Sequence, residues 1–418
     1  MNDFLEELKW RGLVHTISDE SKLEEMLRGQ IKLYLGVDPT ADSMHIGHLV
    51  QVIMLLRFKK EGHIPVSLMG TGTGRIGDPS GKKSERTLLD LEVIDYNAKK
   101  IEQQVRHILR ADSGGAPIFL DNASWGAKIT MFEFLRDYGK FFSINTMLAK
   151  DIVANRLESG ISFTEFSYSI LQAIDWLTMY ERYNVQMQIG GSDQWGNFTA
   201  GLDLIRKKHP TATVVGLTSP LVTKSDGTKF GKTESGSIWL DPEKTSPYEF
   251  YQFFINTADA DVINYLKMFT LLPRAEIETL ALSLQNEPHL RAAQKALARE
   301  LTCLVHSESE YQRAVEISQA LFSGAIKDLT ITEIKNTFQG VPESFMSAEQ
   351  LNVVDFLVEA EICTSKREAR EFVSNNSITI NGELVNDLNK IISKQDAFNH
   401  EISIVRRGKK KYYRVVYK

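Results

Sequence analysis

Cysteine is nearly absent from the chain: 418 residues hold two, Cys303 and Cys363, far apart and in no CxxC pair. That excludes a disulfide framework and a cysteine-only metal knuckle, and it points to a reducing cytoplasm. No run approaches the roughly 18 apolar residues of a transmembrane helix, so no membrane span is expected. The opening "MNDFLEELKWRGL" reads as an acidic amphipathic helix, without the basic-then-apolar order of a secretory leader. Lysine and arginine are missing from a third place, the stretch between Glu165 and Arg182.

That last absence matters because the stretch contains "FSYSILQAIDWL", residues 166–177. Tyr168, Gln172 and Asp175 are spaced i, i+4, i+7 and share one helical face, with Ile170, Ala173, Ile174 and Leu177 opposite. The plain reading is the solvent face of an amphipathic helix. A solvent face normally carries more charge, and Leu171, Trp176 and Met179 flank this one, so a polar pocket wall is the competing reading.

What is present is ordinary: 42% hydrophobic and 25% charged residues, a soluble globular composition, in a length that suits two or three domains. The net charge of -5 is uneven. From Leu351 onward 12 Lys and Arg face 9 Asp and Glu, so a basic tail follows an acidic body, as in an enzyme with a polyanion-binding appendage.

The first half alternates strand and helix patterns. "IKLYLGVD", "HIPVSLMG", "PIFLDN" and "VQMQIGG" read as strands, with "MHIGHLVQVIMLLRFKKEG" and "LLDLEVIDYNAKKIEQQVRHILRA" as helices between them. This order predicts a parallel α/β sheet with ligands beyond the C-terminal strand ends. From Ser246 to about Phe322 the pattern is helical, and around Gly324 to Ser347 the periodicity fades. A small unit then begins at Leu351, with a capping box at Ser365–Glu368 and a hairpin turn at Asn381-Gly382.

"HIGH" at residues 45–48 follows a strand and turn, with Asp42 and Ser43 as candidate caps. A helix start offers free N–H groups and a positive dipole end, which suits an anion. Gly47 would let a flat base approach. A metal reading lacks a third ligand at useful spacing, and two surface histidines by chance is the bland alternative. In "MGTGTGRIGDPSGKKSER", Gly72, Gly74 and Gly77 match a dinucleotide fingerprint, but Pro79 and Gly81 keep the chain in a loop, so no NAD site is expected. Lys82, Lys83 and Arg86 form a cationic cluster there. "SDGTKFGKTESG" sets Lys229 and Lys232 among Gly227, Gly231 and Gly236, a loop able to fold over a polyphosphate.

Together, "HIGH" and "KFGKT" resemble the paired signatures of class I aminoacyl-tRNA synthetases. "YLGVDPTADSMHIGHL", "RIGDPSGKKSER", "YSILQAIDW", "QIGGSDQWGN" and "KFGKT" look like the bacterial tyrosyl-tRNA synthetase family, and the tail resembles its S4-like RNA-binding domain. The resemblance covers nearly the whole chain. Two departures are "KFGKT" without the Met-Ser of the class signature, and Arg75 at an apolar position.

The resemblance implies an α/β fold: a Rossmann-like parallel-sheet catalytic domain at 1–220, the KFGKT loop and a helical domain at 221–323, a linker at 324–349 and a small α+β S4-like RNA-binding domain at 350–418. It implies that Tyr34 and Asp175 bind the phenolic hydroxyl of tyrosine, that Tyr168, Gln172 and Asp78 hold its ammonium, and that Gln194 lies beside it. Thr40, His45, His48, Lys82, Arg86, Lys229, Lys232 and Thr233 would serve the ATP phosphates. Gly36, Asp38, Gly47, Gly190, Gly191 and Asp193 would complete the ATP site, with Asp193 on the ribose.

No resident metal or cofactor is implied, since magnesium would arrive with ATP. The partners implied are tyrosine, ATP, tRNA(Tyr) and a second copy of the chain, through "MFEFLRDYGKFFSINTMLAKDIVANRLESGISF", where Phe163 matches an interface position. Three other readings are a tryptophanyl-type synthetase, a cofactor adenylyltransferase with a similar histidine motif, and an RNA-binding protein on a retired synthetase scaffold.

Overall fold

The computed structural model describes residues 2–80, 88–110, 114–157, 160–225, 227, 228, 230–233, 236–323, 326–338, 341–408 and 411–418. These form two compact units. One comprises Met1–Thr245 with Phe253–Val305, the other Ser246–Gln252 with His306–Lys418.

The first unit is built on six strands: β1 Thr16–Ile17, β2 Lys32–Val37, β3 Ile64–Met69, β4 Ile118–Asp121, β5 Met187–Gly191 and β6 Val215–Ser219. Their order is β1-β6-β5-β2-β3-β4. All neighbours run parallel except the edge strand β1, antiparallel to β6. The sheet is parallel as the sequence predicts, apart from the short edge strand β1, which the sequence does not predict. A two-residue strand is too short to show a period of two. Strand order reverses between β2 and β5, which opens a crevice at their C-terminal ends. Tyr34 and Gln188 are partners in register across that gap.

The helix Phe163–Tyr183 covers this crevice. Ser162 caps it, its hydroxyl accepting the Glu165 N–H at 3.2 Å, and Asn184 ends it in the left-handed conformation, φ 55°. A buried ion pair fixes its first turn: Arg156 Nη2 lies 2.7 Å from Glu165 Oε2. The helix Trp195–Lys208 packs on it, closely enough that a Cβ on Gly201 would sit 2.7 Å from the Trp176 ring.

Two expected boundaries move. The helices Asp259–Phe269, Arg274–Asn286 and Ala292–Val305 belong to the same unit as the sheet, where a separate helical domain at 221–323 was expected. Long-range bonds from Arg11 and Arg57 to the end of Asp259–Phe269 join them, and no local pattern reveals such bonds. The expected linker also carries structure. Ile331–Thr337 is a helix with a Thr330–Glu333 capping box, and Glu343–Met346 is a strand pairing parallel with Lys411–Tyr417.

In the second unit, Glu383–Val385, Ile378–Ile380, Ile402–Arg407, Lys411–Tyr417 and Glu343–Met346 form one sheet in that order. The helices Val353–Glu359 and Lys366–Ser374 share a core with it that includes Phe356, Leu357, Ala369 and Val373. Asn381 and Gly382 make the expected turn, φ 50° and 86°. Ser365 caps its helix, whereas Glu368 turns to Thr364 and leaves the box half made. Tyr417 is buried in the core, Tyr413 packs against it, and Tyr412 lies 5.3 Å from Phe338.

Replacing Gly201 by alanine should lower the unfolding free energy by about 1–3 kcal/mol, because the buried Trp176 ring has to move. Gly126→Ala, where a Cβ meets nothing within 4 Å, should leave it nearly unchanged. Urea titration of both variants checks the contrast, and equal stability of the two would refute the close packing.

Candidate active site

The polar line on Phe163–Tyr183 faces the interior. Tyr168 and Asp175 are only 4% and 5% exposed, which removes the solvent-face reading. Gln172 stands between them, half-buried. The Tyr168 hydroxyl donates to Asp38 Oδ2 at 2.8 Å, and Asp38 Oδ1 accepts from the Thr73 hydroxyl at 2.7 Å.

Asp175 is held by two N–H donors: Trp125 Nε1 to Oδ1 at 2.7 Å and Asn122 Nδ2 to Oδ2 at 2.8 Å. Asn122 also donates to the Thr73 hydroxyl and accepts the Gly72 N–H. Burial pushes the Asp175 carboxyl up to about 7, against the pull of its two donors. Tyr34 rises from β2 toward this carboxylate. Burial, with the Asp175 charge, holds its phenol well above the ordinary range, so it remains a donor. Its hydroxyl is fully buried and has no hydrogen-bond partner. An orphaned buried hydroxyl is costly, and a ligand hydroxyl placed between it and Asp175 would satisfy both.

Further along the crevice, Gln194 Nε2 donates to Asp78 Oδ2 at 2.8 Å, and Asn197 Nδ2 donates to Gln194 Oε1 at 3.1 Å. Gly190 and Gly191 end β5, where a Cβ would press on Phe198 at 3.0 Å and on the Asp193 carboxylate at 2.6 Å. These glycines are required by the protein's own packing. Gly36 ends β2, and the Thr40 N–H donates to the Asp38 carbonyl at 2.8 Å.

At the histidine signature, the helix Ile46–Lys60 starts two residues later than the expected Met44, with His45 itself as the cap in place of Asp42 or Ser43. The Gly47 N–H donates to His45 Nδ1 at 3.1 Å, and His48 Nδ1 accepts the His45 N–H at 3.4 Å. The two rings stack with centroids 3.9 Å apart. Asp42 is taken by Lys244 at 2.8 Å, and Ser43 donates to the Met44 carbonyl. Gly47 has an internal reason: a Cβ there would meet the His45 ring at 2.8 Å.

The glycine-lysine loop returns to this helix start. Gly231, φ +84°, lies so close that a Cβ would sit 2.8 Å from Ile46 Cγ1. Ile238 N donates to the Gly231 carbonyl at 3.1 Å, and Ile46 N donates to the Ile238 carbonyl at 3.0 Å. Lys82, Arg86 and Lys229 lie outside the described residues, as do the side chains of Lys232 and Thr233, whose backbone forms a short strand. Among the described residues no group of three or more His, Cys, Asp or Glu could hold a metal ion, and no helix is long and apolar enough to cross a membrane.

A family model described as tRNA synthetases class I (W and Y) matches residues 26–323. A second, the tyrosine–tRNA ligase SYY-like C-terminal domain, matches 333–415. The tyrosine–tRNA ligase of Listeria monocytogenes serotype 4b (strain F2365) is 54% identical over 418 residues, all of both chains. The chain belongs to the tyrosine–tRNA ligase family. Tyrosine–tRNA ligase 1 of Bacillus cereus (strain ATCC 10987) is 52% identical over 99% of both chains. A C-terminally truncated mitochondrial tyrosyl-tRNA synthetase of Aspergillus nidulans matches in structure with a TM-score of 0.68 at 33% identity, covering 76% of this chain and 94% of its own.

Sequence reasoning missed Thr73, Asn122 and Trp125, which tie Asp175 and Asp38 together. The signal available was weak: a tryptophan and an asparagine just beyond β4, at the strand end where ligands bind.

Asp175 also sets a pH dependence. Its folded pKa of about 7 lies above the ordinary carboxyl value of 3.8. The stability advantage of the protonated form is whole below about pH 4 and lost as pH rises to about 7. Relative to the parent, Asp175→Ala should therefore become progressively more stable across that window and level off above it. Urea unfolding at a series of pH values checks this, and a parallel pair of curves would contradict it.

Proposed function

We propose that the chain activates tyrosine with ATP and transfers it to the terminal adenosine of tRNA(Tyr), through the residues assembled at the β2/β5 crevice. The observation that carries the substrate assignment is the partnerless buried hydroxyl of Tyr34 beside the doubly held Asp175 carboxylate. A substrate phenol donates to Asp175 and accepts from Tyr34. Indole offers one donor and no acceptor, so it leaves Tyr34 unsatisfied. Phenylalanine satisfies neither, and sites built this way reject the analogue lacking the hydroxyl by about 10⁴–10⁵, a range for which tyrosyl-tRNA synthetase is the standing example.

The tyrosine carboxylate, already ionised at neutral pH, attacks the α-phosphorus of ATP. The bond from the α-phosphorus to the α,β-bridging oxygen breaks, pyrophosphate leaves with its magnesium counter-ion, and a tyrosyl-adenylate anhydride remains. A ribose hydroxyl of the tRNA terminus then attacks the anhydride carbonyl, and AMP leaves. No general base is needed for the first step, so positioning and charge stabilisation supply the catalysis. Tyr168, Gln172 and Asp78 take the ammonium, and Gln194 stands beside the substrate. Gly36, Asp38, Gly190, Gly191 and Asp193 line the nucleotide side. Thr40, His45, His48, Lys82, Arg86, Lys229, Lys232 and Thr233 serve the phosphates, and Gly47 lets the base approach.

The second unit takes tRNA, through the cationic strand ends and the helix that carries Lys366, Arg367 and Arg370. The setting is the cytoplasm. A test is ATP–pyrophosphate exchange with each of the twenty amino acids. Tyrosine alone should support fast exchange in the parent. Asp175→Ala should lose at least about tenfold in exchange efficiency, the scale of one buried charge-assisted hydrogen bond. No exchange with any amino acid would favour the retired-scaffold reading, and unchanged kinetics in Asp175→Ala would remove the pocket assignment.

We infer also a homodimer. The segment 131–163 exposes Met131 at 67% and Phe132 at 77% on the short helix Met131–Glu133, and Phe163 at 72% at the start of the helix Phe163–Tyr183. Apolar exposure of that density marks an interface, and a two-fold dimer is the commonest solution. Light scattering at micromolar concentration should give about 95 kDa, twice the 47.3 kDa chain, and Phe132→Asp should shift the mass toward that of one chain.

A further inference from the structure

Arginine inside a helix normally turns its charge to water. Arg11 and Arg57 do not: they are 2% and 6% exposed. Both point at the C-terminal end of the helix Asp259–Phe269. Arg11 Nη1 donates to the Lys267 and Thr270 carbonyls at 2.9 and 3.1 Å, and its Nη2 donates to the Leu272 carbonyl at 2.5 Å. Arg57 Nη2 donates to the Lys267 carbonyl at 3.2 Å and to the Thr270 carbonyl. The last carbonyls of a helix lack internal partners and carry its negative dipole end, so two guanidinium groups there act as a charged clamp. Glu7 compensates one charge, 2.6 Å from Arg11 Nε.

The clamped helix carries the glycine-lysine loop. Asp261, Tyr265 and Phe269 are spaced i, i+4, i+8 and share one face. Each touches the loop stem. Asp261 Oδ1 accepts the Ser225 N–H at 2.8 Å, and the Tyr265 hydroxyl donates to the Thr223 carbonyl at 3.2 Å. The Phe230 ring lies 4.6 Å from that of Tyr265 and 5.0 Å from that of Phe269. Phe230 is buried, and the next residue, Gly231, is the one pressed against Ile46 at the histidine signature.

The path closes on itself. Arg57 and the histidines belong to one helix, Ile46–Lys60. Its far end grips Asp259–Phe269, whose side face seats Phe230, and Gly231 returns to its near end. At 1.5 Å per residue the two ends of this circuit are roughly 16 Å apart.

We propose that Arg11 and Arg57 are positioning residues for adenylate formation: they fix the helix Asp259–Phe269, whose Asp261–Tyr265–Phe269 line sets the height of Phe230 and Gly231 above the histidine signature. This rests on the assignment of the glycine-lysine loop to the ATP phosphates, and the experiment separates the two.

The full-length protein is compared with Arg57→Lys, Tyr265→Phe, Phe230→Leu, the double variant Arg57→Lys/Phe230→Leu, and Lys232→Ala as a control on the loop. Tyrosine affinity is measured by equilibrium dialysis, the rate of adenylate formation in single turnover, and Tm alongside. The pocket for tyrosine stands on β2, residues 121–125 and Phe163–Tyr183, so its affinity should stay within about twofold of the parent in every variant. The single-turnover rate should fall about fivefold in Tyr265→Phe, which loses one neutral hydrogen bond, and about tenfold or more in Arg57→Lys, whose ammonium ends one bond short of the Nη2 position that meets both carbonyls. The effects of Arg57→Lys and Phe230→Leu should combine to less than their product, since both act through one seat.

A parental rate in Arg57→Lys overturns the proposal. So does a rate loss matched by an equal loss of tyrosine affinity, or a double variant whose effects multiply. If Lys232→Ala keeps the parental rate, the loop does not handle the phosphates. A slow Arg57→Lys would then overturn the route through the loop specifically.

Discussion

The pocket depends on keeping one carboxylate dry. Asp175 sits 5% exposed at the centre of the longest buried helix of the first unit. An ionised carboxylate in such a place is expensive unless N–H donors surround it. Trp125 and Asn122 provide two, and both come from the segment just after β4. Asn122 is therefore not spare. Its carboxamide joins β4, the turn at Gly72–Thr73 and the helix Phe163–Tyr183 in one network through three hydrogen bonds. Removing a member leaves a neighbour unpaired in low dielectric, which costs more than the bond itself contributed. The same dryness isolates the Tyr34 hydroxyl: it is buried away from water and has no partner within the protein.

Two kinds of information placed these residues, and only one was legible beforehand. Period and composition revealed the Tyr168–Gln172–Asp175 line, the strands β2 to β5, the helix after "HIGH" and the Asn381-Gly382 turn. Each is a pattern within about twenty residues, and backbone geometry alone makes it readable. The resemblance to a known family supplied what periodicity could not, the pairing of Tyr34 with Asp175.

The illegible part has one physical cause, bonds between residues remote in sequence. Asn122 meets Asp175 across 53 positions and Arg11 meets Thr270 across 259. Nothing around "ASWG" marks Trp125 as a donor to a helix that comes later. Arg57 and Lys59 stand in the basic last turn of Ile46–Lys60, where nothing local marks a cation as buried. Both are buried, with Lys59 Nζ 2.7 Å from the Leu109 carbonyl at the end of Leu91–Leu109. The boundary expected at residue 221 failed for this reason. Cations from the first part of the chain cap helices from the later part, and the core closes around them.

Those caps also explain how one helix can serve two demands. Its first turn carries the stacked histidine pair, with the Ile46, Gly47 and His48 N–H groups donating to the Ile238 carbonyl, His45 Nδ1 and the His45 carbonyl. Its last turn must be immobile, or the histidines would drift with it. Apolar packing alone resists sliding poorly, because neighbouring minima along a greasy face differ little in area buried. A guanidinium aimed at particular carbonyls has one satisfactory register. Burying charge at the far end of Ile46–Lys60 thus trades some stability for position. Desolvation and the nearby Arg11 charge pull Arg57 down to about 9, which still leaves it cationic at neutral pH. Asp175 obeys the same rule at the other end of the crevice: each buried charge is destabilising in isolation, and each fixes a geometry that apolar contacts would leave loose.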